Sequence, residues 1–145
     1  MFDLLSRKVL APTDFSDQSC DAVELALTMV ARPDQLTVLH VAPPLNSFAV
    51  GDPGMAWQLV SDEERAEQLR QMLSNRFSDD KFDDVRFEVV FGAPADEIAK
   101  FAEREQSELI VLPSHGRTGL ARLMIGSVAE CVVRLAHCPV LVLRD

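Results

Sequence analysis

The sequence predicts an α/β fold in which helices cover both faces of a parallel sheet. Short apolar runs rich in Val and Leu alternate with segments of helical periodicity along the chain. Most of these runs are continuously apolar, as expected for strands that are buried on both faces. At 145 residues the chain is long enough for one domain with a substantial core. We therefore expect right-handed crossovers and a single domain over residues 1–145.

Five segments have the composition of buried strands. One of them, VRFEVVF, alternates between apolar and polar residues more than the others, so we expect it nearer an edge of the sheet. The predicted strands are Lys8–Thr13, Leu36–Ala42, Val85–Phe91, Glu108–Pro113 and Pro139–Arg144.

Four segments between these strands predict helices. Asp21–Ala31 carries an apolar stripe, and Asp62–Phe77 is polar apart from a narrow apolar line. Pro94–Glu105 opens with proline and early acidic residues, which suit a helix N-terminus. Ser127–Ala136 begins with Ser-x-x-Glu, which predicts a capping box. The Pro- and Gly-rich segment Pro43–Trp57 predicts one long surface loop, of the kind that often forms a lid.

Composition excludes several classes of protein. The 48% hydrophobic and 26% charged residues are typical of a folded globular chain, and the net charge of −9 argues against nucleic acid or an anionic membrane as the main partner. No apolar run has the length of a membrane helix, and the N-terminus lacks the pattern of a secretory signal. We therefore expect a cytoplasmic protein.

The cysteines and histidines show no spacing typical of metal ligands. There is no C-x-x-C or H-x-x-x-H pair, so a transition-metal site made by protein residues alone is not expected. Cys131 and Cys138 lie among Val and Leu, which predicts that both are buried. His40 and His137 are interpreted as structural.

The stretch PSHGRTGLARLMIGSVAE holds three of the six glycines of the chain. Gly116, Gly119 and Gly126 would let backbone N–H groups approach an anion closely. Gly126 and Ser127 then open a helix, whose N-terminus offers further unpaired N–H groups. The alternative is that Gly126 only turns the chain and Ser127 only caps the helix, but the whole set favours a phosphate site.

Charge in the same region leaves two interpretations open. Arg117, Arg122 and Arg134 stand against the single acid Glu130 in the segment that follows the fourth strand. This arrangement suits either a small anion or an ordinary solvated helix face.

Several motifs together resemble the universal stress protein family over nearly the whole chain. They are PTDFS, HVAPP, FGAPADEI, SHGRTGLARLMIGSVAE and CPVLVLR, in the order in which the family has them. The resemblance implies a Rossmann-like five-stranded parallel sheet in the order 3-2-1-4-5. Ligands of such sheets bind where the strand order reverses, here between strands one and four. The segments that leave these two strands, Ala11–Ser16 and the glycine-rich stretch, would meet there.

Many family members resemble ATP binders through the motif G-x2-G-x9-G-[S/T]. Gly116 and Gly126-Ser127 match the motif, but Pro113 stands where its first glycine belongs. Proline has no N–H and adds bulk, so we expect it to suit the strand end and to weaken one side of the pocket. The resemblance implies a nucleotide-binding set of Pro12, Thr13, Asp14, Val41, Pro113, Ser114, His115, Gly116, Arg117, Gly126, Ser127 and Val128.

Each member of this set also has a plainer interpretation. Asp14 resembles an acid near the base and ribose, although it could instead cap the first helix, as Ser16 or Asp17 also could. His115 could approach a phosphate or could be a solvent-exposed loop residue. Pro12, Thr13 and Val41 could line the adenine and ribose pocket or simply pack at strand ends.

Two functions follow from the resemblance. The first is a stress-response sensor or regulator that binds ATP or AMP with Mg²⁺ or Mn²⁺. The second is a homodimeric interaction module that has lost nucleotide binding because of Pro113. The sequence has no G-x-S-x-G elbow and no recognisable catalytic set, so at most slow ATP hydrolysis is expected.

The last strand predicts a dimer. In the order that the family implies, strand five lies at the edge of the sheet, and an apolar edge strand invites pairing with another chain. The resemblance implies a two-fold homodimer with Val140, Leu141 and Val142 at its centre. It does not identify a signalling partner.

Overall fold

The computed structural model describes residues 7–44, 61–115 and 125–144. In these ranges five strands and four α-helices follow one another along the chain. Their bounds are β1 Val9–Pro12, α1 Asp17–Thr28, β2 Leu36–Ala42, α2 Asp62–Arg76, β3 Arg86–Phe91, α3 Pro94–Arg104, β4 Leu109–Pro113, α4 Ser127–Leu135 and β5 Val140–Leu143.

The five strands form one parallel sheet in the order β3-β2-β1-β4-β5. This confirms the predicted fold class and strand order. It also places β3, the strand with the most alternating sequence, at an edge, as its pattern predicts. From β1 the chain adds β2 and β3 toward one edge of the sheet and then adds β4 and β5 toward the other edge. The strand order therefore reverses between β1 and β4.

Alternate residues of the central strands supply two cores, one on each face of the sheet. Val9 and Ala11 of β1 pack in the core under α1 and α2, which includes Val23 and Leu73. Leu10 of β1 faces the opposite side and packs in the core under α3 and α4. The period of two along a strand explains why continuously apolar runs are needed here.

The start of α1 differs from the prediction. The apolar stripe predicted a helix over Asp21–Ala31, whereas α1 spans Asp17–Thr28. The Ser16 hydroxyl accepts a hydrogen bond from the Ser19 backbone N–H and caps the helix. The first turn is largely polar, so it carries no apolar periodicity by which the sequence could reveal it.

The exposure of Cys131 also differs from the prediction. Cys131 is exposed, Cys138 is half-buried and Cys20 is buried. The buried face of α4 is formed by Ala129 and Val132, and Cys131 lies on a different side of the helix. Apolar neighbours in the sequence were therefore a poor guide to burial on this helix.

Most of the predicted loop Pro43–Trp57 lies outside the described residues, as do Gly119 and Arg122. None of the helices in the described ranges combines the length and the apolar composition that are needed to span a bilayer.

Candidate functional site

A pocket opens where β1 and β4 separate. These strands pair only through Val9 with Leu109 and Leu10 with Ile110, and beyond this point the chain ends of β1 and β4 diverge. The pocket has a volume of about 240 Å³ and lies at the carboxyl ends of the strands. This is the position at which open parallel sheets bind their ligands.

The structure brings most of the predicted nucleotide-binding residues together around this pocket. The lining contains all the predicted residues that the structure describes, from four different elements and the loops between them. They are Pro12, Thr13, Asp14, Val41, Pro113, Ser114, His115, Gly126, Ser127 and Val128. The other two predicted residues, Gly116 and Arg117, lie outside the described ranges.

Sequence reasoning missed six lining residues. Leu39 and Leu112 point to the α3–α4 side of the sheet, and the strand period would have identified them once the pocket was assigned to that side. Pro94 and Ile98 belong to the start of α3, whose position over β2 no local pattern reveals. The missed residues are Ser19, Leu39, Pro94, Ile98, Leu112 and Ala129.

Two prolines face each other across the strand reversal. On β4, the N–H groups of Ile110 and Ser114 donate to carbonyl oxygens on the β5 side of the sheet. Backbone direction alternates along a strand, so the nitrogen of Pro113 is directed the other way, toward β1. By the same alternation, Thr13 N–H donates to Leu39 O of β2, so the nitrogen of Pro12 is directed toward β4. Pro12 and Pro113 thus occupy the two positions at which a strand end would have offered an N–H to the pocket.

A close approach between two backbone segments requires glycine at position 126. Its N–H donates to the carbonyl oxygen of Ser114 at 2.6 Å, which joins the start of α4 to the end of β4. A Cβ atom at this position would lie 2.7 Å from the same oxygen, too close for any other residue without a backbone shift. Gly126 therefore shapes the pocket, and its N–H is not available to a ligand.

The predicted capping box of α4 is wrong. Gly126 is the N-cap, no side chain caps the helix, and Ser127 is its first helical residue. Glu130 instead pairs with Arg134 at 2.7 Å on the exposed side of the helix, so Arg134 belongs to a solvated helix face. The N-cap is therefore Gly126, which is hydrogen-bonded to Ser114, and not Ser127, and the sequence alone could not show this.

As a result, α4 begins at the pocket with an open N-terminus. The first intrahelical bond runs from Glu130 N–H to Gly126 O. The N–H groups of Ser127, Val128 and Ala129 precede this bond, and all three residues line the pocket. Unpaired N–H groups and the positive end of the helix dipole together favour a bound anion.

The loop after β1 is held in place by hydrogen bonds that involve side chains. Asp14 Oδ1 accepts from the backbone N–H of Ser16 at 3.0 Å and also from the Ser16 hydroxyl. The Thr13 hydroxyl bonds the Ser19 hydroxyl at 2.7 Å, and His40 Nδ1 lies 2.8 Å from Thr13 O. Phe15 has a φ of 68°, a conformation that is uncommon for residues with a side chain. Ser16 caps α1, so Asp14 orders the cap and lines the pocket at the same time.

His115 is buried inside the pocket wall. Its exposed fraction is 7%, so the solvent-exposed alternative is wrong. Nδ1 lies 3.1 Å from the Ser114 hydroxyl, whereas Nε2 is buried without a hydrogen-bond partner in the described part of the chain. Buried polar atoms in native proteins are nearly always paired, so this nitrogen of a pocket-lining residue is an exception that calls for an explanation.

No group of three or more His, Cys, Asp or Glu side chains lies at metal-binding distance in the ranges that the structure describes. A divalent cation at this pocket would therefore depend on oxygen atoms that a ligand brings with it.

Comparison with known proteins gives the family. The sequence profile of the universal stress protein family matches residues 6–144. Universal stress protein MJ0531 of Methanocaldococcus jannaschii is 36% identical over 97% of this chain and 83% of its own. MJ0577 of the same organism is 31% identical over 97% of this chain and 96% of its own.

Solved structures agree with the sequence comparison. The structure of MJ0577 superposes with a TM-score of 0.72 and covers 96% of both chains, at 28% identity. A universal stress protein solved in complex with cAMP shares the fold, with a TM-score of 0.63, 22% identity and coverage of 96% of this chain and 98% of that chain. On the profile match and the two sequence relatives, the chain belongs to the universal stress protein family.

Proposed function

We propose that the protein is a cytoplasmic stress-response sensor or regulator that binds an adenine nucleotide, ATP or AMP, in the pocket between β1 and β4. The observation that carries this proposal is the open N-terminus of α4. Ser127, Val128 and Ala129 at the uncapped helix end line one pocket together with His115, whose Nε2 has no hydrogen-bond partner in the described part of the chain. Phosphate oxygens are acceptors that would pair with the N–H groups of these residues.

The rest of the lining suits a nucleoside. The lining also has an apolar part that includes Pro12 and Val41, which would contact the flat faces of a base. Asp14 is the acidic residue of the described lining and would accept hydrogen bonds from ribose hydroxyls. The pocket thus has an apolar end for the base and a donor-rich end for phosphate.

A divalent cation, Mg²⁺ or Mn²⁺, would enter with the phosphates and be held mainly by their oxygens, with the Ser127 hydroxyl as a further ligand. The cation would neutralise phosphate charge on a chain whose net charge is −9. We propose binding, with at most slow ATP hydrolysis, as the activity of this pocket.

Calorimetric titration and thermal unfolding with ATP, AMP, cAMP and adenosine, with and without Mg²⁺, test the proposal. A ligand present at a hundred times its dissociation constant raises the free energy of unfolding by about 2.7 kcal/mol. We expect a clear rise in the melting temperature with ATP and Mg²⁺. No heat of binding and no shift at millimolar ATP would overturn nucleotide binding.

The two prolines support the alternative function, a homodimeric interaction module without a nucleotide. Pro12 and Pro113 remove an N–H from each side of the strand reversal, which deprives a ligand of two donors. This alternative predicts a stable dimer that does not respond to any nucleotide. The same titration, combined with sedimentation of the ligand-free protein, separates the two functions.

A further inference from the structure

We propose that His115 is the residue that makes the pocket select phosphorylated ligands, by donating a hydrogen bond from Nε2–H to a ligand oxygen at the N-terminus of α4. This inference rests on the proposed function and assigns a specific role to one side chain within it.

The hydrogen bond at Nδ1 sets the tautomer of the neutral imidazole. Ser114 is 5% exposed, so its hydroxyl proton needs an acceptor inside the protein. The partner that the structure gives this hydroxyl is His115 Nδ1, at 3.1 Å. When Ser114 donates to Nδ1, the ring proton resides on Nε2, and Nε2 becomes a donor.

This donor has nothing to pair with in the described part of the ligand-free chain. Nε2 is buried, and no hydrogen-bond partner lies within reach. A buried donor without an acceptor destabilises the folded state, and a ligand oxygen would remove that penalty on binding. The arrangement therefore lowers stability without a ligand and raises affinity for an acceptor.

The position of His115 next to the start of α4 favours a phosphate oxygen as the acceptor. The Cα of His115 lies 3.6 Å from the point where a Cβ of Gly126 would be, so His115 adjoins the N-cap of α4. The imidazole N–H is thus added to the backbone donors of Ser127 and Val128 at the positive end of a helix dipole. The charged residue of the described lining is Asp14, which follows β1, while β2, α3 and α4 contribute no charged side chain to it.

Two variants test the role, with a third as control. His115→Phe keeps the ring shape and removes both nitrogens, and His115→Gln places an amide N–H near the position of Nε2. His137→Phe changes an exposed histidine outside the pocket. The probes are ATP, inorganic tripolyphosphate and adenosine, measured by calorimetry, together with the melting temperature of each ligand-free variant.

For His115→Phe we expect a loss of ATP affinity of roughly tenfold or more, because a hydrogen bond to a charged group is lost. The affinity for tripolyphosphate should fall by a similar factor, and adenosine should bind as it does to the wild type. The ligand-free melting temperature should change little, since one unpaired buried donor is removed while the Ser114 hydroxyl loses its acceptor. His115→Gln should recover most of the ATP affinity, and His137→Phe should change nothing.

Nitrogen NMR of the ligand-free wild type should show the Nε2–H tautomer for His115. An Nδ1–H tautomer would overturn the inference even if ATP binds. Unchanged ATP affinity in His115→Phe, or equal losses of affinity for ATP and adenosine, would also overturn it and leave the proposed function intact. If the wild type binds none of the three probes, the proposed function fails together with this inference.

Discussion

Pro113 shows how one residue can suit the fold and still change the site. It ends β4 opposite Leu143 of β5, and its nitrogen is directed toward β1, where the β1–β4 ladder has already ended at Ile110. The missing N–H therefore costs the sheet no hydrogen bond. The same direction places the loss inside the pocket, where a ligand would otherwise receive a donor.

Replacing Pro113 should tighten nucleotide binding. Pro113→Gly and Pro113→Ala both restore an N–H directed at the pocket, and a net hydrogen bond of about 0.5–1.5 kcal/mol corresponds to a gain in ATP affinity of roughly two- to tenfold. Both variants should unfold more easily, because the unfolded chain gains freedom worth about 0.4–1 kcal/mol. Calorimetry and thermal unfolding measure the two effects. A gain in ATP affinity with glycine alone would show that the bulk of the side chain at position 113, and not the missing N–H, weakens binding. No gain with either variant would refute the role of Pro113.

The three cysteines should differ in reactivity. Burial raises the pKa of the Cys20 thiol, and burial likewise raises the pKa of Cys138, so less of each is present as the reactive thiolate at pH 8. Cys131 is exposed on α4. We expect a disulfide reagent at pH 8 to label one thiol per chain rapidly and the other two slowly. In Cys131→Ser the fast phase should disappear, and a fast phase that persists would contradict the burial of Cys20 on α1 or of Cys138 between α4 and β5.

The helices differ in how their N-termini are satisfied. Ser16 caps α1 and Ser61 caps α2 with side-chain hydrogen bonds. α3 and α4, which both begin at the pocket, have no side-chain cap. The first turn of α3 carries two acids, Asp96 and Glu97, of which Glu97 pairs with Lys100 at 3.8 Å, and their charge opposes a bound anion. The first turn of α4 carries one acid, Glu130, which is paired with Arg134. Of the four helices described, α4 is therefore the one suited to phosphate.

A negative charge at the start of α4 should separate stability from binding. Ser127→Asp should raise the free energy of unfolding by about 0.3–1 kcal/mol, because an acid in the first turn interacts well with the helix dipole. The same carboxylate should lower ATP affinity by roughly tenfold or more through repulsion of phosphate. Ser127→Asn, which has nearly the same shape and no charge, is the control. Unchanged ATP affinity in Ser127→Asp would place the phosphates away from α4.

At the scale of the whole molecule, β5 forms an edge of the sheet at which a second chain could pair. β5 pairs with β4 on one side and has no strand on its other side in the described ranges. Pro139 and its alternates face β4, so Val140 and Val142 direct their N–H and C=O groups to the open edge. Leu141 is 36% exposed, which leaves apolar surface beside these groups. An unpaired apolar edge of this kind supports the proposed homodimer.

Val142→Pro should break such a dimer without unfolding the chain. Proline removes an N–H that is directed away from β4, so the ladder inside the protomer keeps its hydrogen bonds. At micromolar concentrations we expect sedimentation to show a dimer for the wild type and a monomer for the variant. Val142→Thr keeps the N–H and should remain dimeric. A wild type that is monomeric, or a Val142→Pro variant that stays dimeric, would exclude pairing through β5.

How much of the fold and of the site the sequence predicts depends on whether the interactions involved are local in sequence. The apolar runs predict five strands with ends within two residues of those observed, since burial on both faces demands continuous apolar sequence. The strand order followed from the family resemblance. Ten of the sixteen lining residues of the described pocket followed from motif positions, because the carboxyl ends of parallel strands meet at one edge of the sheet, and the other six did not.

By itself the sequence determined the fold class, the family and the location of the pocket, since these depend on periodicity and on short motifs. Tertiary structure alone decided how the donors of that pocket are used. It assigned the Gly126 N–H to Ser114, left Ser127 without a capping role and buried His115 with an Nε2 that has no partner among the described residues. Each of these outcomes depends on a contact between the end of β4 and the start of α4, and no local pattern in the sequence encodes the distance between them.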